Sequence, residues 1–198
     1  MIAGSLLVAS PAPANIQEQR ARLPPPARCT DPVLGVWMSH AYYAFAGQWY
    51  ISQLTIRRAP GSTTELTGEM FAHYWNGGPR DEQPPACAPG VYRKSVDQPA
   101  RGRINGNRIE FWATSWRAAA VYCNTPATAY NLDRYSGTID PALQEFQSLI
   151  NDGGRFINVP VVFRRIRCLD AAGSKRPRVE VAPPPLAPPG RTGGCGGC

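Results

Sequence analysis

Between Val33 and Cys168 the chain repeatedly alternates apolar and polar residues with a period of two, and Gly, Pro, Asn or Asp interrupts the runs. Helical periodicity is hard to find there. Period-two alternation places every second side chain on one face of a strand, and the pattern predicts eight of them. They are Val33–Met38, Gln48–Arg58, Glu65–Trp75, Val91–Ile104 with a break near Pro99, Asn107–Arg117, Tyr130–Ile139, Glu145–Asn151, and Arg155–Cys168 with a break at Pro160. Two turns are explicit: Asn105-Gly106 suits a tight hairpin that needs positive φ, and Asn151–Arg155 suits a looser one.

Paired in chain order, these strands form an all-β fold, a single antiparallel up-and-down β-barrel of about eight strands with disordered tails. Odd strands then run up and even strands down. The lower turns (59–64, 105–106, 140–143) are short and three upper connections (39–47, 76–90, 118–129) are long, which suits a barrel closed below and open above. An even strand count returns the last strand to the rim where the first began, so Cys29 and Cys168 meet there. Cys87 and Cys123 both fall in upper loops. Of the three pairings open to four cysteines, strand parity favours Cys29 with Cys168 and Cys87 with Cys123.

The alternation also assigns an interior. Leu54, Ile56, Leu66, Met70, Ile109, Phe111 and Ile139 point inward in the lower half, whereas Tyr50, Ser52, Tyr74, Ser115, Asn131 and Asp133 fall near the open end. An apolar floor beneath convergent hydroxyl, amide and carboxylate groups is the composition of a small-molecule pocket. Those six residues are the expected ligand-binding set.

Composition places this barrel in the chain. Residues 1–28 read as a signal-like segment, with Ala12-Pro13-Ala14 resembling a cleavage site before Asn15, followed by a Pro-rich linker. Residues 29–170 are the barrel domain, and 171–198 a disordered Pro/Gly-rich tail ending in Cys195-Gly196-Gly197-Cys198. Six cysteines point to an oxidising compartment, so the expected location is secreted or periplasmic. No run reaches the length of a membrane span. The net charge of +7 lies mainly in the tails and the body is nearly balanced, which argues against nucleic acid as a partner.

Candidate chemistry is sparse. His40 and His73 stand in no metal-ligand spacing with Cys, Asp or Glu, and no nucleophile elbow, phosphate loop or dinucleotide fingerprint occurs. No metal, cofactor or enzymatic role is expected. Asp81-Glu82 reads as a pair of solvated loop charges, and the two histidines as surface residues. The aromatic loop with Tyr42, Tyr43, Phe45 and Trp49, together with Trp75, Trp112 and Trp116 on outward faces, supports a second class of function. That alternative is a protein-interaction module, such as an exported protease inhibitor or envelope component, engaging a protein partner through loops and exposed aromatics.

Gly35-Val36-Trp37, at the start of the first strand, resembles the Gly-x-Trp signature of the lipocalins and the wider calycin superfamily. The resemblance implies an Arg late in the last strand that packs across the Trp, with Arg164, Arg165 and Arg167 as candidates. The up-and-down pattern is also similar to the avidin group, whose barrel mouth holds a polar cluster for a small ligand. The likeness covers residues 33–168. It departs from the lipocalin pattern in lacking a Thr-Asp-Tyr-type second motif and in carrying a Pro-rich tail where lipocalins have a helix.

Overall fold

The computed structural model describes residues 16–123 and 129–169. The signal-like segment, the 171–198 tail and its terminal Cys195 and Cys198 lie outside the described residues. A short helix, α1 (Ile16–Arg22), precedes nine strands: β1 (Gly35–Tyr43), β2 (Gln48–Arg58), β3 (Glu65–Asn76), β4 (Arg93–Asn105), β5 (Arg108–Ala113), β6 (Arg117–Tyr122), β7 (Arg134–Asp140), β8 (Glu145–Asn151) and β9 (Ile157–Arg167). Pairing runs β3-β2-β1-β9-β8-β7-β5-β4, and β3 returns to β4 to close the ring. The result is a closed eight-stranded antiparallel barrel, compatible with a calycin-like fold, in which β6 continues the line of β5 along β4.

The split between β5 and β6 has a local cause. Pro99 lies within β4 and offers no N–H to the ladder. Opposite it, both the backbone N–H and the hydroxyl of Thr114 donate to the Pro99 carbonyl, at 2.9 and 3.1 Å. The register slips by one residue across this point, from Ala100↔Ala113 to Asp97↔Arg117. The single strand expected over Asn107–Arg117 is therefore two. The first upper connection also differs from expectation, because β1 extends to Tyr43 and leaves only a tight turn before β2. The Asn105-Gly106 hairpin forms as expected, with Gly106 at φ +61°.

Both cysteine pairs are joined, Cys29 to Cys168 with Cα atoms 5.5 Å apart and Cys87 to Cys123 at 4.9 Å. The first ties the chain entering β1 to the chain leaving β9. Trp37 and Arg165 face each other across the same seam, and the Arg165 guanidinium lies 5.1 Å from the Trp37 ring centroid. Of the three candidate arginines, Arg165 is thus the one that packs on the Trp. A Cβ at Gly35 would come within 2.7 Å of the Arg165 Cδ. Glycine at this place leaves room for the arginine to cross.

Inside, Leu54, Ile56, Leu66, Phe111, Phe146 and Phe163 are among the residues that fill the barrel, each nearly or fully inaccessible. A second apolar layer lies outside the wall. Trp49 and Trp75, on the outward face, are both fully buried and stack at 6.4 Å. Their indole N–H groups donate to the carbonyls of Gly78 (2.8 Å) and Asp81 (2.9 Å), so the long β3–β4 connection folds back over them. His40 and His73 flank Trp75 and are buried too, which corrects the surface reading. The His73 Nε2 accepts from the Arg93 Nε at 2.9 Å. Glu82 behaves as an exposed loop charge paired to Arg22, whereas Asp81 accepts the Gly78 N–H within its own turn.

Residues 15–28, expected as a linker, are in their described part a structural strap. β1 pairs β9 only over Val36–Met38, and above that the β9 edge is open to the helix. The buried Gln19 side chain donates to the Pro160 carbonyl (3.3 Å) and accepts the Val162 N–H (3.0 Å). Arg20 adds an ion pair to the buried Glu145, which Arg164 shares from the other side. This helix docks through polar bonds, not an apolar stripe, so hydrophobic periodicity does not announce it.

Candidate functional site

At the upper end of the barrel a cavity of about 190 Å³ opens between the inner wall and the ends of the upper connections. Five of the six expected residues line it: Tyr50, Ser52, Tyr74, Asn131 and Asp133. Ser115 does not. It sits exposed in the break between β5 and β6, because the slip opposite Pro99 ends the alternation that would have turned it inward.

The alternation missed much of the remaining lining. Tyr43, Tyr92, Tyr130 and Tyr135 join Tyr50 and Tyr74, so six of the eight tyrosines in the chain surround one small space. The signal was the inward parity of Tyr135 and the clustering of tyrosines near strand ends. Tyr92 and Tyr130 fall within the strands expected over Val91–Ile104 and Tyr130–Ile139, but β4 begins at Arg93 and β7 at Arg134, so both reach the cavity from outside the regular ladder. The rings touch one another: Tyr50 stacks on Tyr74 with centroids 4.9 Å apart, Tyr43 meets Tyr50 edge-on at 5.6 Å, and Tyr92 and Tyr130 each lie 5.8 Å from Tyr74.

Asp133 is the buried charge of this site, only 5% exposed. Gln98, on the inward face of β4 and wholly buried, clasps it from two sides. The Gln98 Nε2 donates to Asp133 Oδ2 at 2.6 Å and its Oε1 accepts the Asp133 N–H at 3.1 Å. The Tyr130 hydroxyl donates to the same Oδ2 at 3.0 Å. Oδ1 accepts no hydrogen bond among the described residues. Burial pushes the Asp133 carboxyl up to about 6, the bonds from Gln98 and Tyr130 pull it part of the way down, and the Asp152 charge adds to the rise. Burial, followed by neighbouring groups that include Asp133, holds the phenols of Tyr43, Tyr50, Tyr74, Tyr130 and Tyr135 well above their ordinary value.

Tyr130→Phe deletes one donor to the ionised carboxylate and nothing else of size. The Asp133 midpoint is expected to rise above about 6, read from the carboxyl carbon shift in a pH titration. An unmoved midpoint would show that the hydroxyl does not hold the charge.

A larger hollow of about 920 Å³ lies outside β5, β7 and β8. It is an open groove whose Arg103 and Arg108 side chains are exposed to solvent, and it contains no buried ionisable group to orient a ligand. Among the described residues no group of three or more His, Cys, Asp and Glu is arranged to hold a metal ion. The burial of Trp49 and Trp75 also removes two of the aromatic anchors expected of a protein-binding face. In comparisons with protein families, curated proteins and solved structures the chain has no match, and its likeness to the calycins rests on the closed barrel and the Gly35, Trp37 and Arg165 contact alone.

Proposed function

We propose that this protein is a secreted or periplasmic binding protein that holds a small, partly polar ligand in the tyrosine-lined cavity at the open end of its barrel. The observation that carries the reading is the buried Asp133 carboxylate, which lines the cavity with one oxygen lacking a hydrogen-bond donor among the described residues. Burying a charge is costly, and a fold tolerates it where a ligand or partner uses it. The surrounding phenols supply apolar area and hydroxyl groups together, the mixture that orients a small molecule. Two disulfides favour an oxidising compartment.

Protein purified under native conditions from its source extract is expected to carry a small bound species in native mass spectrometry. Tyr74→Ala and Ser52→Ala should each weaken retention of that species about tenfold or more, the loss of one to two good contacts. Circular dichroism separates lost binding from lost fold. A cavity that returns no bound species from any extract, with both variants indistinguishable from the parent, overturns the reading.

A further inference from the structure

We infer that the ligand of this cavity is a small organic cation, an alkylammonium or quaternary ammonium head, held between the tyrosine rings with Asp133 as its counter-ion. This rests on the binding reading above and names the chemistry of the same site.

Three observations converge on it. The cavity is walled by aromatic rings that present both π-surface and hydroxyls, and π-surface attracts weakly hydrated cations. Its volume of about 190 Å³ corresponds to roughly six waters at about 30 Å³ each, the room a choline-sized head requires. The charge balance is negative, two carboxylates against one cation, Arg155, at the rim. Asp133 and Asp152 both line the space, and the Asp152 Oδ2 accepts from Asn131 at 3.3 Å, not from a cation.

Each of the two basic groups nearby has a contact outside the cavity. Arg155 lines the rim but directs its Nη2 to the Phe45 carbonyl at 3.2 Å. Lys94 does not line the cavity, and its Nζ lies 4.8 Å from the Trp116 ring centroid. Neither is among the groups that move the Asp133 carboxyl. The phenols, held protonated by burial, add no charge of their own near neutral pH. A cation entering beside Oδ1 would meet the one oxygen of this carboxylate that accepts no hydrogen bond from the described residues. Metal ions suit the site poorly, because a strongly hydrated ion needs several oxygens to replace its shell and no group of three or more His, Cys, Asp and Glu is assembled to supply them among the described residues.

The test uses the intact, oxidised chain carrying ring-labelled tyrosine, titrated by NMR with choline and with its neutral isostere 3,3-dimethylbutan-1-ol at matched ionic strength. Choline is expected to shift the cavity tyrosines and to bind at least tenfold more tightly than the isostere. Its affinity should fall at least tenfold in Asp133→Asn and fall similarly as the pH drops from about 7.5 to about 5. Asp133→Gln serves as a second variant if the first is poorly folded. Equal binding of the isostere overturns the cation assignment and leaves the binding reading standing. Equal shifts from sodium or calcium chloride also overturn it, as nonspecific ion effects. Silence toward every probe overturns it too, and the extract experiment above then decides independently whether the cavity binds anything.

Discussion

Arg165→Ala is expected to lower barrel stability by about 3 to 4 kcal/mol, a fall in Tm of roughly 10 °C for a chain of this size. Arg165 is wholly buried. Its side chain donates from Nε to the Gln144 Oε1 at 2.9 Å, from Nη1 to the Leu34 carbonyl at 3.2 Å and to the Asp31 carbonyl, and from Nη2 to Gln144 as well. Truncation strips donors from half-buried acceptors, each costing toward the low end of about 1 to 3 kcal/mol when left unsatisfied, and leaves a cavity over Trp37. Part of this is offset, since a desolvated charge is also removed. Arg165→Met separates the contributions, because it restores volume without donors and should recover less than half the loss. Urea unfolding of the three proteins reads it. A parent-like midpoint for Arg165→Met would mean that packing on Trp37, not the donor fork, closes the barrel.

Asp133→Asn is expected to act in the opposite direction, stabilising the protein by about 2 to 3 kcal/mol at neutral pH while removing the ligand charge. The Asp133 pKa is raised in the folded state, from 3.8 to about 6. A group so shifted contributes its full stability below the unfolded value, and that contribution is lost as the pH rises through about 6. Parent and variant should therefore have nearly equal Tm near pH 4, diverge progressively up to about pH 6 and keep a constant gap above it, with the variant higher. The comparison must be a difference. Burial, with the Arg93 charge, lowers His73 to about 4, so neutral His73 gives stability that is complete above about 6.5 and lost on acidification, the reverse trend. A variant less stable than the parent at neutral pH would show that the protein already compensates the carboxylate, and the cavity would lose its strongest sign of use.

Much of this architecture is legible in the sequence. Period-two alternation located the strands, because one face of a half-buried strand must be apolar whatever it packs against. Strand parity then paired Cys29 with Cys168 and Cys87 with Cys123, and carried Tyr50, Ser52, Tyr74 and Asp133 to one end. Parity failed at Ser115, where Pro99 breaks the opposite ladder. It also did not single out Tyr92 and Tyr130, which lie in expected strands but reach the cavity from the residues that precede β4 and β7.

Alternation assigns each residue a side of the sheet, and that is a local property of extended backbone. Whether the outer side meets water or another layer is not local. Trp49, Trp75 and His40 are buried because the β3–β4 connection and helix α1 return over them, and His73 because Arg93 and Tyr122 cover it. The Gln98 clasp on Asp133 joins residues 35 positions apart, and Arg165 was one of three equal candidates until the seam register placed it across from Trp37. The amino-acid pattern alone thus determined the strands, their directions and the polar mouth, through burial that repeats every second residue. Which carboxylate is left with an open oxygen, and which rings surround it, depended on long-range contacts that only closure of the barrel could decide.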